Sequence, residues 1–216
     1  MIQNKPFAGF LLRLLAASTQ TSVLYLLHTL FWFLVISKSQ NLAEFMYYLS
    51  LYFIFCCLPW YPTITLLMSY LTSKFGGNLG KLLTGLKVVS KNGSYLPFKK
   101  ALFRATIGYT FSTLLFGLGY LNIITDFQKR AWHDKTIGSY VVKKNNIWIL
   151  SIIILLITFF INTFLIFSSI SHMINGPLKT EVISIFDQIN KTNEKIKEPN
   201  RVINGKFIES LPGKKT

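Results

Sequence analysis

The sequence predicts an α-helical integral membrane protein with three spanning helices, a further apolar segment that either re-enters or crosses as a fourth span, and a small cytoplasmic β-hairpin. Three observations carry this. Of the 216 residues 51% are hydrophobic and only 14% are charged, against about 25% charge in an ordinary soluble domain. The mean hydropathy is +0.42. The apolar residues are gathered into runs of spanning length separated by short basic loops, so the bilayer is the solvent for much of the chain. The formal net charge of +15 lies between these runs rather than along one face of a polar domain. That argues against a nucleic-acid partner and for lysines and arginines acting as cytoplasmic anchors.

The first apolar run, residues 10–36, is interrupted mainly by STQTS at 18–22. It exceeds the roughly 7–15 residues of a signal-peptide core and has no convincing cleavage site after it, so it reads as an uncleaved helix. Lys5 and Arg13 stand at its start and only Lys38 and Glu44 follow it. The positive-inside bias therefore puts the N-terminus in the cytoplasm of a plasma (inner) membrane protein. Residues 42–71 return, and LPWYP at 58–62 predicts a kink because each proline removes a backbone donor. Cys56 and Cys57 are adjacent and set among apolar residues, an arrangement for packing rather than for metal or redox chemistry.

Residues 73–100 carry Lys74, Lys81, Lys87, Lys91, Lys99 and Lys100 with no acid, so this loop is expected in the cytoplasm. Asn92 and Gly93, flanked by β-prone runs, predict a two-residue hairpin turn. A third β-prone run at 139–142 can join it if the chain comes back to the same side. Residues 105–124 are long enough to cross the membrane, but both flanks are basic, and GLG at 117–119 offers a break. Two half-helices forming a re-entrant hairpin satisfy both flanks; a full crossing is the alternative. Residues 147–170 form the last span, with Asn162 inside it. The tail carries Val182, Ile183, Ile185, Phe186 and Ile189 on one helical face, which predicts a short amphipathic helix and a disordered end. The organisation expected is a membrane domain over 1–144, an added span over 145–170 and a polar tail over 171–216.

Arg13 and Gln20 are seven residues apart, two turns and about 10 Å along one helical face. An amide in mid-membrane is best tolerated facing protein, so Gln20 either bonds a neighbouring helix or lines a ligand site. Arg13 can reach lipid phosphate or a carboxylate. From residue 1 to 180 the only acids are Glu44, Asp126 and Asp134, two of them in DFQKRAWHDKTIGSYVVKK at 126–144. If the 105–124 segment turns back, Asp134 arrives at the depth of Arg13 and Arg104, and an ion pair would pin the loop to the first helix. His133 is read as a packing or hydrogen-bonding residue, since one His and one Asp are too few for a metal. GGNLGKLL at 76–83 lacks P-loop spacing and reads as the turn out of the second helix. No catalytic constellation is evident; neither an enzyme nor a cofactor is expected.

These residues resemble the RDD family of small multi-pass membrane proteins, named for one arginine and two aspartates. The matches are GGNLGKLLTGLKVV at 76–89, ALFR at 101–104 and KRAWHDKTIGSYVV at 129–142, with Arg13 and Ala16 of the first-helix pattern. The resemblance spans about residues 7–144 and leaves the last span and the tail outside it. It implies that Arg13 and Asp134 take the family's arginine and second aspartate, while Gln20 stands where the first aspartate should be. For the family, transport of unidentified ligands and cation–proton exchange have been proposed. A carboxylate can hold a cation or carry a proton and an amide cannot do so in the same way, which argues against proton-coupled exchange here.

Two functions are therefore expected. One is an oligomeric transporter or channel with Gln20, Arg13 and Asp134 lining or gating a polar site. The other is a non-transporting anchor or assembly factor whose basic loops bind anionic lipid or a protein partner.

Overall fold

The computed structural model describes residues 6–114 and 116–209. Helix α1, Phe10–Lys38, is ended by Ser39, whose hydroxyl and amide both reach back to Val35. Asn41 caps α2, Leu42–Tyr52, by accepting from the Glu44 amide, while Glu44 accepts from the Gln40 amide; together they form a tight reversal. A π turn over Phe53–Cys57 leads into α3, Leu58–Phe75. This is the backbone's answer to Pro59 and Pro62: the wider turn relieves the carbonyl that Pro59 would crowd. Gly76, with φ of 78°, stops α3 in the left-handed conformation.

Asn78 then caps the short α4, Leu79–Leu83, which leads to strand β1, Leu86–Ser90. β1 pairs antiparallel with β2, Ser139–Lys143, from Leu86↔Lys143 to Ser90↔Ser139. The hairpin expected at Asn92–Gly93 is reduced to a single bridge between Val89 and Tyr95. Pro97 explains the reduction: it has no amide to donate, ends the extended run after Leu96 and caps α5, Phe98–Phe103. The later β-prone run becomes the true partner. Residues 6–8 add to the outer edge of β2, with Phe7 bridging Val142 and the Ala8 amide bonding the Val141 carbonyl at 2.8 Å.

Between the strands, α5 passes through a second π turn, Arg104–Gly108, into α6, Tyr109–Thr113. The chain bends by 92° before α7, Leu118–Thr125. The bend falls at the expected glycine, Gly117, with φ of 84°. Gly119 lets α7 lie against α6, because a Cβ there would sit 2.5 Å from Ser112 Cα. The short α8, Trp132–Thr136, leads back to β2.

Helix α9, Trp148–Asn175, lies along α1 and runs parallel to it. Their contacts advance together: Thr19 to Ser151 at 2.8 Å, Ser22 to Thr158 at 2.6 Å and Thr29 to Asn162 at 2.5 Å. α2 and α3 run opposite to α1, since Trp32 meets Phe45 while His28 meets Tyr52. With α1 and α9 parallel and one antiparallel helix between them, the 98–125 segment leaves from and returns to the same end of the bundle. The paired strands on either side of it show the same thing.

Three helical runs are long and apolar enough to cross a membrane. Their outer faces are largely exposed, while the buried core of Ala8, Ala16, Leu86, Val88, Leu96, Ala101 and Val141 gathers at the sheet end. α10 runs from Pro177 to Glu209, longer than the short amphipathic helix expected, and the end of the tail, 210–216, lies outside the described residues. Glu181 ties α10 to the turn before α2 by accepting from the Leu42 amide.

Candidate functional site

Asp134 is the fixed point of the site. The Ala131 amide donates to its Oδ2 at 3.2 Å, which holds the carboxylate at the start of α8. The returning 98–125 segment then sets it between two guanidinium groups. Arg13, one turn into α1, donates from Nη1 to Oδ2 at 2.5 Å. Arg104, at the first position of the π turn, donates to Oδ1 from Nε at 3.1 Å and from Nη2 at 2.7 Å. Ser139 of β2 adds its hydroxyl at 3.2 Å. Asp134 is wholly buried, with Arg13 at 8% and Arg104 at 3% exposure.

Both arginines are satisfied beyond the carboxylate. Arg13 donates from Nε to the Ala8 carbonyl at 3.0 Å and from Nη2 to the Lys129 carbonyl. Arg104 donates from Nη1 to the Tyr109 hydroxyl at 2.9 Å. Burial alone would raise the Asp134 carboxyl, but Arg104 and Arg13 outweigh it and hold the group well below the usual carboxylate range. The group is ionised at any physiological pH. With Ser139, this triad joins α1, the π turn, α8 and β2 in one buried ionic knot.

His133 lies beside the knot. Its amide donates to the Ser112 hydroxyl at 3.0 Å, its Nδ1 meets the same hydroxyl at 2.9 Å, and its ring packs edge-on against Tyr109. Burial pushes the imidazole down to about 2, so it is neutral and adds no charge. Gly108 makes the approach possible, since a Cβ there would stand 3.1 Å from His133 Cβ.

Gln20 lies apart from Asp134. It is one residue along from Thr19, which faces α9, and the roughly 100° step of the helix turns it toward α4 instead. There its Oε1 accepts from the Gly80 amide at 3.4 Å. Gly80 is required at this crossing: a Cβ would fall 1.8 Å from the Ala16 carbonyl oxygen.

Between these elements is a cavity of about 510 Å³. Arg13, Gln20, Arg104 and His133 line it, joined by Asn78, Lys81, Tyr109 and Tyr120. Asp134 does not reach it. The structure thus separates the five sequence-predicted residues into a buried lock and a cavity wall, with Arg13 and Arg104 serving both. Lys81, Asn78, Tyr109 and Tyr120 are the residues that sequence reasoning did not single out. Lys81 stood in view inside GGNLGKLL, where testing the motif only for P-loop spacing passed over it. Among the described residues, no group of three or more His, Cys, Asp or Glu is placed to hold a metal.

Compared with known families, the chain matches the RDD family model over residues 7–138. The match ends four residues after Asp134 and takes in every residue of the lock except Ser139; α9 and α10 lie outside it. No curated protein and no solved structure matches the chain.

Proposed function

The chain belongs to the RDD family of membrane proteins, and from that premise we propose that it takes up and transports a small solute through the cavity between α1, α4 and the bent 98–125 segment. The observation that carries this reading is the cavity itself: about 510 Å³, largely apolar in lining but carrying the polar side chains of Arg13, Gln20, Asn78, Lys81 and Arg104. A space of this size is in the range of ligand sites. The ionic lock fixes the wall and leaves Gln20, Lys81 and Tyr109 to meet the solute. In this reading the N-terminus and the sheet lie on the cytoplasmic side of the plasma membrane, and residues 98–125 dip into the bilayer and return. The basic loops support that orientation.

A second reading, a non-transporting anchor, draws on a different observation. Lys87, Lys143 and Lys144 line a second pocket of about 530 Å³ beside the sheet, a surface suited to anionic headgroups at the membrane face. Solute efflux from vesicles carrying the reconstituted protein separates the two. Ala17 lines the cavity from α1, and Ala17→Trp would plug it. Efflux that is present with the native chain and abolished by Ala17→Trp supports transport. Efflux equal to that of protein-free vesicles, for cationic, neutral and anionic solutes alike, refutes it in favour of the anchor.

A further inference from the structure

Resting on the reading of this cavity as a ligand site, we infer that its ligand is an anionic amphiphile, a phosphate or carboxylate headgroup carrying a hydrocarbon chain. The first argument is charge. Arg13, Lys81 and Arg104 face the cavity and no Asp or Glu lines it. The nearest carboxylate, Asp134, is wholly buried behind the wall and is already shared by the two arginines. Neutral His133 changes nothing. Three cations set against one carboxylate leave the cavity positive after the lock is complete.

The second argument is the sense of the hydrogen bonds left unmade. The Gly80 amide fixes Gln20 Oε1, so the Gln20 Nε2 donors turn away from it. The Lys81 amide, at 3.2 Å, fixes Asn78 Oδ1 in the same way. Lys81 Nζ donates to that same Asn78 oxygen at 3.3 Å and, with three hydrogens, keeps at least one to give. Tyr109 accepts from Arg104 through its oxygen, leaving its own hydrogen to donate. Donors therefore outnumber free acceptors in this wall, where the Thr21 and Tyr120 hydroxyls are the other polar groups and can give or take a hydrogen bond. A cation needs acceptors; a phosphate or carboxylate offers only acceptors and fits.

The third argument is the mouth. Leu14 and Leu121 are half-exposed and Phe116 is fully exposed at the rim. In a chain whose helical faces meet lipid, this rim opens toward acyl chains. A headgroup among the donors places its hydrocarbon against Leu14, Phe116 and Leu121, where burial is favourable.

The test is binding, measured apart from flux. The full chain in dodecyl maltoside is titrated with phosphatidylglycerol, phosphatidylcholine or inorganic phosphate, and complexes are counted by native mass spectrometry. Phosphatidylglycerol is expected to bind. Lys81→Gln is expected to weaken it roughly 10-fold or more, as loss of one charge-assisted bond implies. Lys81→Arg should retain binding, and so guards against a folding artefact. Gln20→Asp, which puts a carboxylate into the wall, should weaken binding as well. Equal binding of phosphatidylcholine overturns the charge argument, and equal saturation by inorganic phosphate overturns the amphiphile. Loss with Lys143→Gln but not with Lys81→Gln moves the lipid to the sheet pocket and overturns the site. Solute efflux without lipid binding leaves the transport reading standing and sinks this inference; lipid binding without efflux does the reverse.

Discussion

Replacing Asp134 by Asn removes one charge and changes almost no volume, so it isolates what the carboxylate does. In the native protein the group accepts from Arg13, twice from Arg104, from Ser139 and from the Ala131 amide. Asparagine keeps one acceptor oxygen and turns the other position into a donor, which must face either Arg13 and the Ala131 amide or Arg104 and Ser139. Both arginines, at 8% and 3% exposure, would then be buried without a counter-charge. Removing one partner of a buried pair costs about 3–5 kcal/mol. Here one substitution orphans two cations, partly offset by the carbonyls of Ala8 and Lys129 and by the Tyr109 hydroxyl. The expected loss is therefore at the top of that range, about 5 kcal/mol, a large share of a typical 5–15 kcal/mol stability. Arg13→Gln should cost less, roughly 2–3 kcal/mol, because Asp134 keeps Arg104 and the remaining charges balance. Equilibrium unfolding in mixed micelles measures both. The reasoning fails if Asp134→Asn lies within about 1 kcal/mol of the native protein, or if Arg13→Gln proves the more damaging.

Two further outcomes follow from the geometry. Gly80→Ala should destabilise the protein by at least about 3 kcal/mol, read as a drop in the unfolding midpoint, because its Cβ would meet the Ala16 carbonyl at 1.8 Å and drive α4 off α1. His133 is held neutral by burial with its pKa down at about 2, against about 6.5 unfolded, so below pH 6.5 the unfolded chain takes up a proton that the folded chain refuses. Stability should fall by up to about 1.4 kcal/mol per pH unit below 6.5, and the thermal midpoint between pH 7 and 5 should flatten in His133→Gln; an unchanged slope in that variant would rule the imidazole out.

The spans were legible because bilayer length and apolar content act on each segment alone. The break in residues 98–125 was legible, since Gly117 of the GLG stretch marks the bend, and basic flanks on both sides favour the return proposed above. The Arg13–Asp134–Arg104 knot followed once that return was granted, since acids are scarce and only one is carried back to that depth. The sheet was half legible. Asn92–Gly93 states a local turn preference, but Pro97 and a distant strand decide the pairing, and a long-range partner leaves no local mark. The α1–α9 seam was hidden for the same reason. Thr19, Ser22 and Thr29 find Ser151, Thr158 and Asn162 more than 130 residues away, and only Asn162 stood out as a polar residue in an apolar run. Lys81 was lost among basic loop residues because charge alone does not tell an anchoring lysine from one turned inward.

Position 20 belongs to the cavity wall and not to the lock. An aspartate there would give the cavity wall two acceptor oxygens and a negative charge, enough to receive a cation. Gln20 carries no charge, and its one acceptor oxygen is already engaged by the Gly80 amide. What it turns toward the cavity is a donor, in line with Lys81, Asn78 and Tyr109. The change is small in volume and large in sign. The lock does not depend on it, because Asp134 draws its charge balance from Arg13 and Arg104 and makes no contact with Gln20. A fixed structural carboxylate and an adjustable cavity wall are thus separable in this chain. The wall can change the charge it accepts while the knot that holds the returning segment stays as it is.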